Sequence, residues 1–151
     1  MASWLRGLPA LALIAFAGCG GDSGVADDAT VSVYVAASLC AEAEGVAARQ
    51  GDEAGGLRVR VICLPAAEAE GRLDLAQIGA NARRATEDSS AVGYIGEPSA
   101  AATRFSRPIL AEAEIPQLAE VGGRAAMEEL LGAIERADRS SGMRGAVADV
   151  L

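Results

Sequence analysis

The side chains able to do chemistry are few, and their scarcity is the first constraint. The chain of 151 residues has no His, and its 13 basic residues are all Arg. General acid–base catalysis would rest on carboxyls alone, and no Lys is available to activate a serine or to form a Schiff base. The acidic runs Glu68-Ala69-Glu70, Glu112-Ala113-Glu114 and Glu128-Glu129 read as solvated helix or loop faces. Gly20-Gly21 and Gly122-Gly123 read as linkers or turns, since a phosphate-cradling loop would carry its Lys. The chain is therefore not read as an enzyme, and no cofactor or metal is expected. What remains are three cysteines: Cys19, Cys40 and Cys63.

Cys19 ends a distinctive N-terminal stretch. Arg6 precedes a mostly apolar run from Gly7 to Ala17, the charged and hydrophobic parts of an export signal. The run is too short to span about 30 Å of hydrocarbon as a helix. Phe16-Ala17-Gly18-Cys19 resembles the bacterial lipobox, with Phe16 where that motif usually has Leu. Small residues at Ala17 and Gly18 would admit the backbone to a peptidase groove, and the Cys19 thiol would receive a diacylglyceryl group. Residues 1–18 are then a signal peptide. Residues 19–29, opening Gly20-Gly21-Asp22-Ser23-Gly24, are a flexible tether. Two or three acyl chains hold a protein stably where one does not. The expected location is the outer face of the cytoplasmic membrane, reached by export and held through the lipid. The alternative is an ordinary secreted protein with an unmodified cysteine.

With Cys19 lipidated, Cys40 and Cys63 remain as an even pair in an oxidising compartment. A structural disulfide is the expectation. A reactive thiol and a metal site are the alternatives, and the absence of His and of Cys-x-x-Cys argues against both. A bridge closing a loop of this size stabilises by about 3 kcal/mol in the chain-entropy model. Charge narrows the partners. All 21 acidic residues lie beyond Cys19, as does every Arg except Arg6, and the net charge is −8. Such a surface argues against nucleic acid and against broad contact with anionic headgroups. The length suits one domain.

The elements that would position these residues alternate between strand and helix. Val31, Val33 and Val35 at period two predict a strand over 31–37, and the Ala-rich stretch 40–50 a helix weakened by Gly45. Gly51-Asp52 and Gly55-Gly56 break the chain before a second strand over 57–64, which Pro65 ends ahead of an acidic loop. Asp74 is the expected N-cap of a helix to Glu87 with Leu75, Ile78, Ala82 and Ala85 inward. A short buried strand over 91–96 follows. Pro98 suits the first turn of a helix that would bury Ala102, Phe105, Ile109 and Ala113. A fourth strand is predicted over 115–121, interrupted early by Pro116. The amphipathic helix 124–138 turns Met127, Leu130, Leu131 and Ile134 inward, and a short uncapped helix ends at Leu151. The fold class expected is α/β: a single open parallel sheet of about four strands, helices on both faces and right-handed crossovers. Cys40 and Cys63 both fall at its carboxyl edge, where ligands bind in open α/β sheets.

The stretch "ANARRATEDSSAVGYIGE" over 80–97, followed by "ATRFSRPILAEAEIPQ" over 102–117, resembles the first lobe of type I periplasmic binding proteins. The branch it resembles is the branched-chain amino-acid (Leu/Ile/Val) substrate-binding lipoproteins of ABC transporters. The segment from Gly123 to Leu151 is similar to the tail that docks back on that lobe. The resemblance implies a lobe over 30–121, with the helices of 122–151 packing on it. It implies a ligand such as a branched-chain amino acid, an ABC permease as partner, and a site at the turn holding Ser99, Ala100 and Thr103.

Two departures qualify what it implies. Members carry two lobes that close on their ligand, whereas this chain passes from the fourth strand directly to the tail. In the family's turn a hydroxyl meets the ligand carboxylate, and here that position is Ala100. The "Ser-Pro-x-x-Thr" turn aligns with Ala119-Glu120-Val121-Gly122-Gly123, which lacks both hydroxyls and adds a negative charge. At about 4 Å and an effective dielectric near 20, that charge would repel a carboxylate by roughly 4 kcal/mol. Each lost hydrogen bond removes about 1 kcal/mol more. The expectation is a solute-binding lipoprotein with a partial or degraded site. The alternative is a small envelope lipoprotein that acts by protein–protein contact and has no small ligand.

Overall fold

The computed structural model describes residue 26 and residues 28–151, apart from the side chain of Ser141. The expected signal peptide, Cys19 and most of the tether lie outside the described residues.

Strand β1 (Thr30–Val35) leads through a 3-10 turn (Ala37–Leu39) into helix α1 (Cys40–Arg49). Next come β2 (Glu53–Ala54) and β3 (Leu57–Cys63), then the small hairpin β4 (Glu68–Ala69) and β5 (Arg72–Leu73). Helix α2 (Leu75–Glu87), strand β6 (Ala91–Ile95), helix α3 (Ala100–Ala111) and strand β7 (Gln117–Leu118) follow. Helix α4 (Gly123–Arg136), a 3-10 turn (Arg139–Ser141) and helix α5 (Met143–Val150) complete the chain.

The main sheet has the order β2-β3-β1-β6-β7. β3, β1, β6 and β7 run parallel, and β2 pairs antiparallel with β3. The architecture is thus α/β with a mixed, mostly parallel five-stranded sheet, not the purely parallel four-stranded sheet expected from sequence. The extra strand arises at Gly55-Gly56, which does more than break the chain. Both glycines have positive φ, +56° and +77°, so they form a two-residue turn that folds β2 back on β3. Glu70 and Gly71, also at positive φ, make the same device between β4 and β5 inside the stretch expected to be an acidic loop.

The fourth strand is shorter than expected. Pro116 supplies no N–H, and the backbone enters the left-handed region at Glu114 and Glu120 on either side, so only Gln117 and Leu118 pair with β6. Helix α2 starts where the sequence puts it, with the Asp74 carboxylate accepting the Gln77 N–H at 3.0 Å. Helix α3 starts two residues after Pro98, capped by Ser99. Its inward face is also rotated: Ala102, Thr103, Ser106 and Leu110 are buried while Phe105 is exposed. Two hydroxyls are tolerated there because Ser106 donates to the carbonyls of Ala102 and Thr103, and Thr103 to that of Glu97.

Two cores lie on opposite faces of the sheet. Val31, Val33 and Val35 pack with α1, α4 and α5, where Met127, Leu130, Leu131 and Ile134 are buried as expected. Tyr34 and Tyr94 point to the other face, with Ala82 and Ala85 of α2 and Leu110 of α3. α4 is joined to α1 at its start, where the Glu42 carboxylate accepts the Arg124 N–H. α5, which no side chain caps, is held by Arg144. Its guanidinium donates to the carbonyls of Asp88, Ala91 and Ala113 at 2.7, 3.0 and 3.1 Å.

Asp88, just before β6, anchors the amino edge of the sheet. Its carboxylate accepts the Ser90 hydroxyl at 2.6 Å, the Ser90 N–H at 2.8 Å and the Tyr34 hydroxyl at 2.9 Å. Burial pushes this carboxyl upward, but those hydrogen bonds outweigh it and hold the pKa at about 2. A depressed carboxyl contributes stability above its unfolded value, and that contribution is lost as pH falls through the folded one. Asp88 therefore stabilises the protein at neutral pH by about 2 kcal/mol. Urea unfolding should show stability falling between about pH 4 and pH 2. Asp88→Asn should flatten that dependence, and an unchanged acid limb in the variant would count against it.

Candidate functional site

The strand order creates one crevice at the carboxyl edge. β1 leaves the sheet toward α1 on one face, and its neighbour β6 leaves toward α3 on the other. Loops departing in opposite directions open the gap in which α/β sheets hold ligands. A cavity of about 240 Å³ lies there. Ala36, Ala37 and Ser38 follow β1; Pro65, Ala66 and Ala67 follow β3; Glu97 and Pro98 follow β6. Glu68 and Leu73 of the small hairpin, Asn81 of α2 and Ala102 of α3 close the sides.

Each wall is held by identifiable interactions. The end of β6 lies so close to β1 that a Cβ at Gly96 would stand 2.7 Å from that of Ala36, and the φ of Gly96 is +126°. Only glycine meets both conditions. The Gly96 carbonyl accepts the Gln117 side-chain amide at 2.6 Å, which ties the loop to β7, and the same amide donates to Ser106 at 2.8 Å. Asn81, 3% exposed, donates to the Pro65 carbonyl at 3.0 Å and accepts from Gln77 at 2.8 Å, fixing the loop after β3 to α2. On the α1 side, Cys40 and Cys63 lie at disulfide distance with Cα atoms 5.6 Å apart. That spacing suits a bridge between the start of α1 and the end of β3.

The chemically distinctive group is Glu97. It is 4% exposed, and its carboxylate accepts the Tyr94 hydroxyl at 2.6 Å. Its other oxygen has no partner among the described residues. Burial, and then the bond and charge of Glu97, push the Tyr94 hydroxyl upward, so it stays protonated and donates at any ordinary pH. Among the described residues, no Arg lines the cavity.

Of the residues expected at the site, Ser99 caps α3, its hydroxyl accepting the Ala102 N–H at 3.3 Å. Ala100 is exposed, and Thr103 is buried with its hydroxyl donating to the Glu97 carbonyl. The three sit together on the first turn of α3, and the cavity wall is formed by their neighbours Glu97, Pro98 and Ala102. Glu120 is exposed and, with the whole turn 119–123, stands outside the cavity lining. The acids that line the cavity are Glu68 and Glu97. Glu97 and Asn81 were not singled out from sequence. The available signal was Tyr94, an aromatic hydroxyl on an otherwise apolar buried strand, with an acid three residues on.

Comparison of the chain with family models, with curated proteins and with solved structures finds no match in any of the three.

Tyr94→Phe should leave the buried Glu97 carboxylate without its donor. A loss of about 1–3 kcal/mol is expected in urea unfolding, and an unchanged midpoint would show that solvent already satisfies this carboxylate.

Proposed function

We propose that this chain is an extracytoplasmic, lipid-anchored solute-binding protein related to the substrate-binding components of branched-chain amino-acid ABC transporters, reduced to one lobe and holding a partial site. The observation that carries the reading is the cavity at the crevice between β1 and β6, in a sheet whose strand order is that of a ligand-binding α/β fold. The motif order described above supports the family, and the packing of α4 against β1 and α1 agrees with a tail returning to its own lobe. Among the described residues, no helix is long and apolar enough to cross a membrane.

At about 240 Å³ the cavity is smaller than the roughly 300–1,000 Å³ of sites that enclose drug-sized ligands. It also stays open where a second lobe would close it. Affinity is accordingly low, and delivery to a permease would rely on the high local concentration that tethering creates.

One observation favours protein contact as a second reading. Leu75 and Phe105 are 48% and 41% exposed and, with Leu73, Ala101 and Arg104, line an open depression beside the cavity. Exposed apolar groups gathered in one place mark contact surfaces.

Calorimetric titration of the unlipidated protein with Leu, Ile and Val separates the two. Saturable binding weaker than micromolar, abolished by Ala67→Phe at the cavity mouth, is the result expected. Silence toward all three, together with self-association in sedimentation, would favour the contact surface instead. The anchor is tested separately by cell fractionation. Cys19→Ser should move the protein from the membrane fraction to the medium, and retention of the variant in the membrane would contradict lipidation at that residue.

A further inference from the structure

We propose that the cavity recognises a small alkylammonium group, with Glu97 as its counter-ion, and that among the described residues it presents no cationic side chain to a carboxylate. The inference rests on the cavity being a solute site and concerns which solute it takes.

Two of the four polar side chains of the wall are acidic, and none is basic. Glu97 and Glu68 supply the only ionisable side chains, Ser38 a hydroxyl and Asn81 an amide. The remainder is alanine, proline and Leu73. The chain has no Lys or His, and none of its described Arg residues lines the cavity.

Glu97 is the deciding group. A buried charge is costly unless it is paired and hydrogen-bonded. Glu97 has one donor, Tyr94, and one oxygen with no partner among the described residues. An ammonium entering from the cavity mouth would supply both the hydrogen bond and the opposite charge. The unpartnered Glu97 oxygen is not fully enclosed and so is reachable from the cavity, where an entering carboxylate would meet a like charge. The apolar wall and small volume limit the attached carbon chain to a few atoms.

Three probes with the same branched tail test this on the intact protein: isopentylamine, L-leucine and isovalerate. Nuclear magnetic resonance titration should show saturable shifts at Ala67, Asn81 and Ala102 with isopentylamine, weaker binding of L-leucine, and none of isovalerate. Glu97→Gln keeps an acceptor for Tyr94 and removes the charge, and should weaken isopentylamine by about ten- to a hundredfold. Because a core variant can fail to fold, Ala67→Phe gives a second arm; it leaves Glu97 untouched and should abolish amine binding. Amine binding that survives Ala67→Phe would be adsorption to an acidic surface and would overturn the proposal. Tighter binding of isovalerate or L-leucine than of the amine, or a folded Glu97→Gln variant with unchanged affinity, would overturn the ammonium assignment and leave the solute-binding reading standing. No binding of any probe would overturn both.

Discussion

Tyr34 and Tyr94 are register partners on the adjacent strands β1 and β6, and both are buried on the face covered by α2 and α3. Their hydroxyls reach opposite ends of β6, Tyr34 to Asp88 before the strand and Tyr94 to Glu97 after it. Both rings are buried, and each hydroxyl donates to an acid that it holds in place, in a part-buried bond at Tyr34 and a buried one at Tyr94. Much of the molecule is arranged around this pair. At the amino edge, Asp88 organises Ser90, and its carbonyl takes the Arg144 guanidinium that docks α5. At the carboxyl edge, Glu97 is kept inside the sheet's crevice instead of turning outward into solvent, as an acid following a strand ordinarily does. The same chemistry thus serves stability at one end and creates a candidate site at the other.

That contrast explains why only one end is proposed to bind anything. Asp88 accepts three hydrogen bonds, from side chains and backbone, and has the Arg60 guanidinium 3.9 Å away. Glu97 has a single donor and borders a cavity. The walls around it are rigidly placed: Gly96 fits against Ala36, Gln117 holds the Gly96 carbonyl, and Asn81 holds the loop after β3. Such a preformed wall reduces the ordering that a weak ligand would otherwise have to offset.

Much of the framework was readable from residue pattern. Alternating valines marked β1, the run around Val59 and Val61 marked β3, and Asp74 marked the start of α2, because these signals are local and agree with the tertiary packing. Cys40 and Cys63 were expected to approach one another from their places after β1 and at the end of β3. The failures have equally definite causes. Gly55-Gly56 and Glu70-Gly71 punctuate the sequence in the same way whether the chain merely bends or folds back into a hairpin. The α3 stripe was misplaced because Thr103 and Ser106 look polar, yet they satisfy their hydroxyls on nearby backbone carbonyls and so bury at little cost. Glu97 was missed because an acid beside Pro98 reads as solvated loop. Only the burial and the Tyr94 hydroxyl, both tertiary properties, set it apart.

The most direct test of the account is a crystal structure of the protein soaked with isopentylamine. The account predicts the amine nitrogen within hydrogen-bond distance of the Glu97 carboxylate and the branched tail against Ala66, Ala67 and Ala102. A Glu97 side chain turned into solvent with the crevice unoccupied would contradict it.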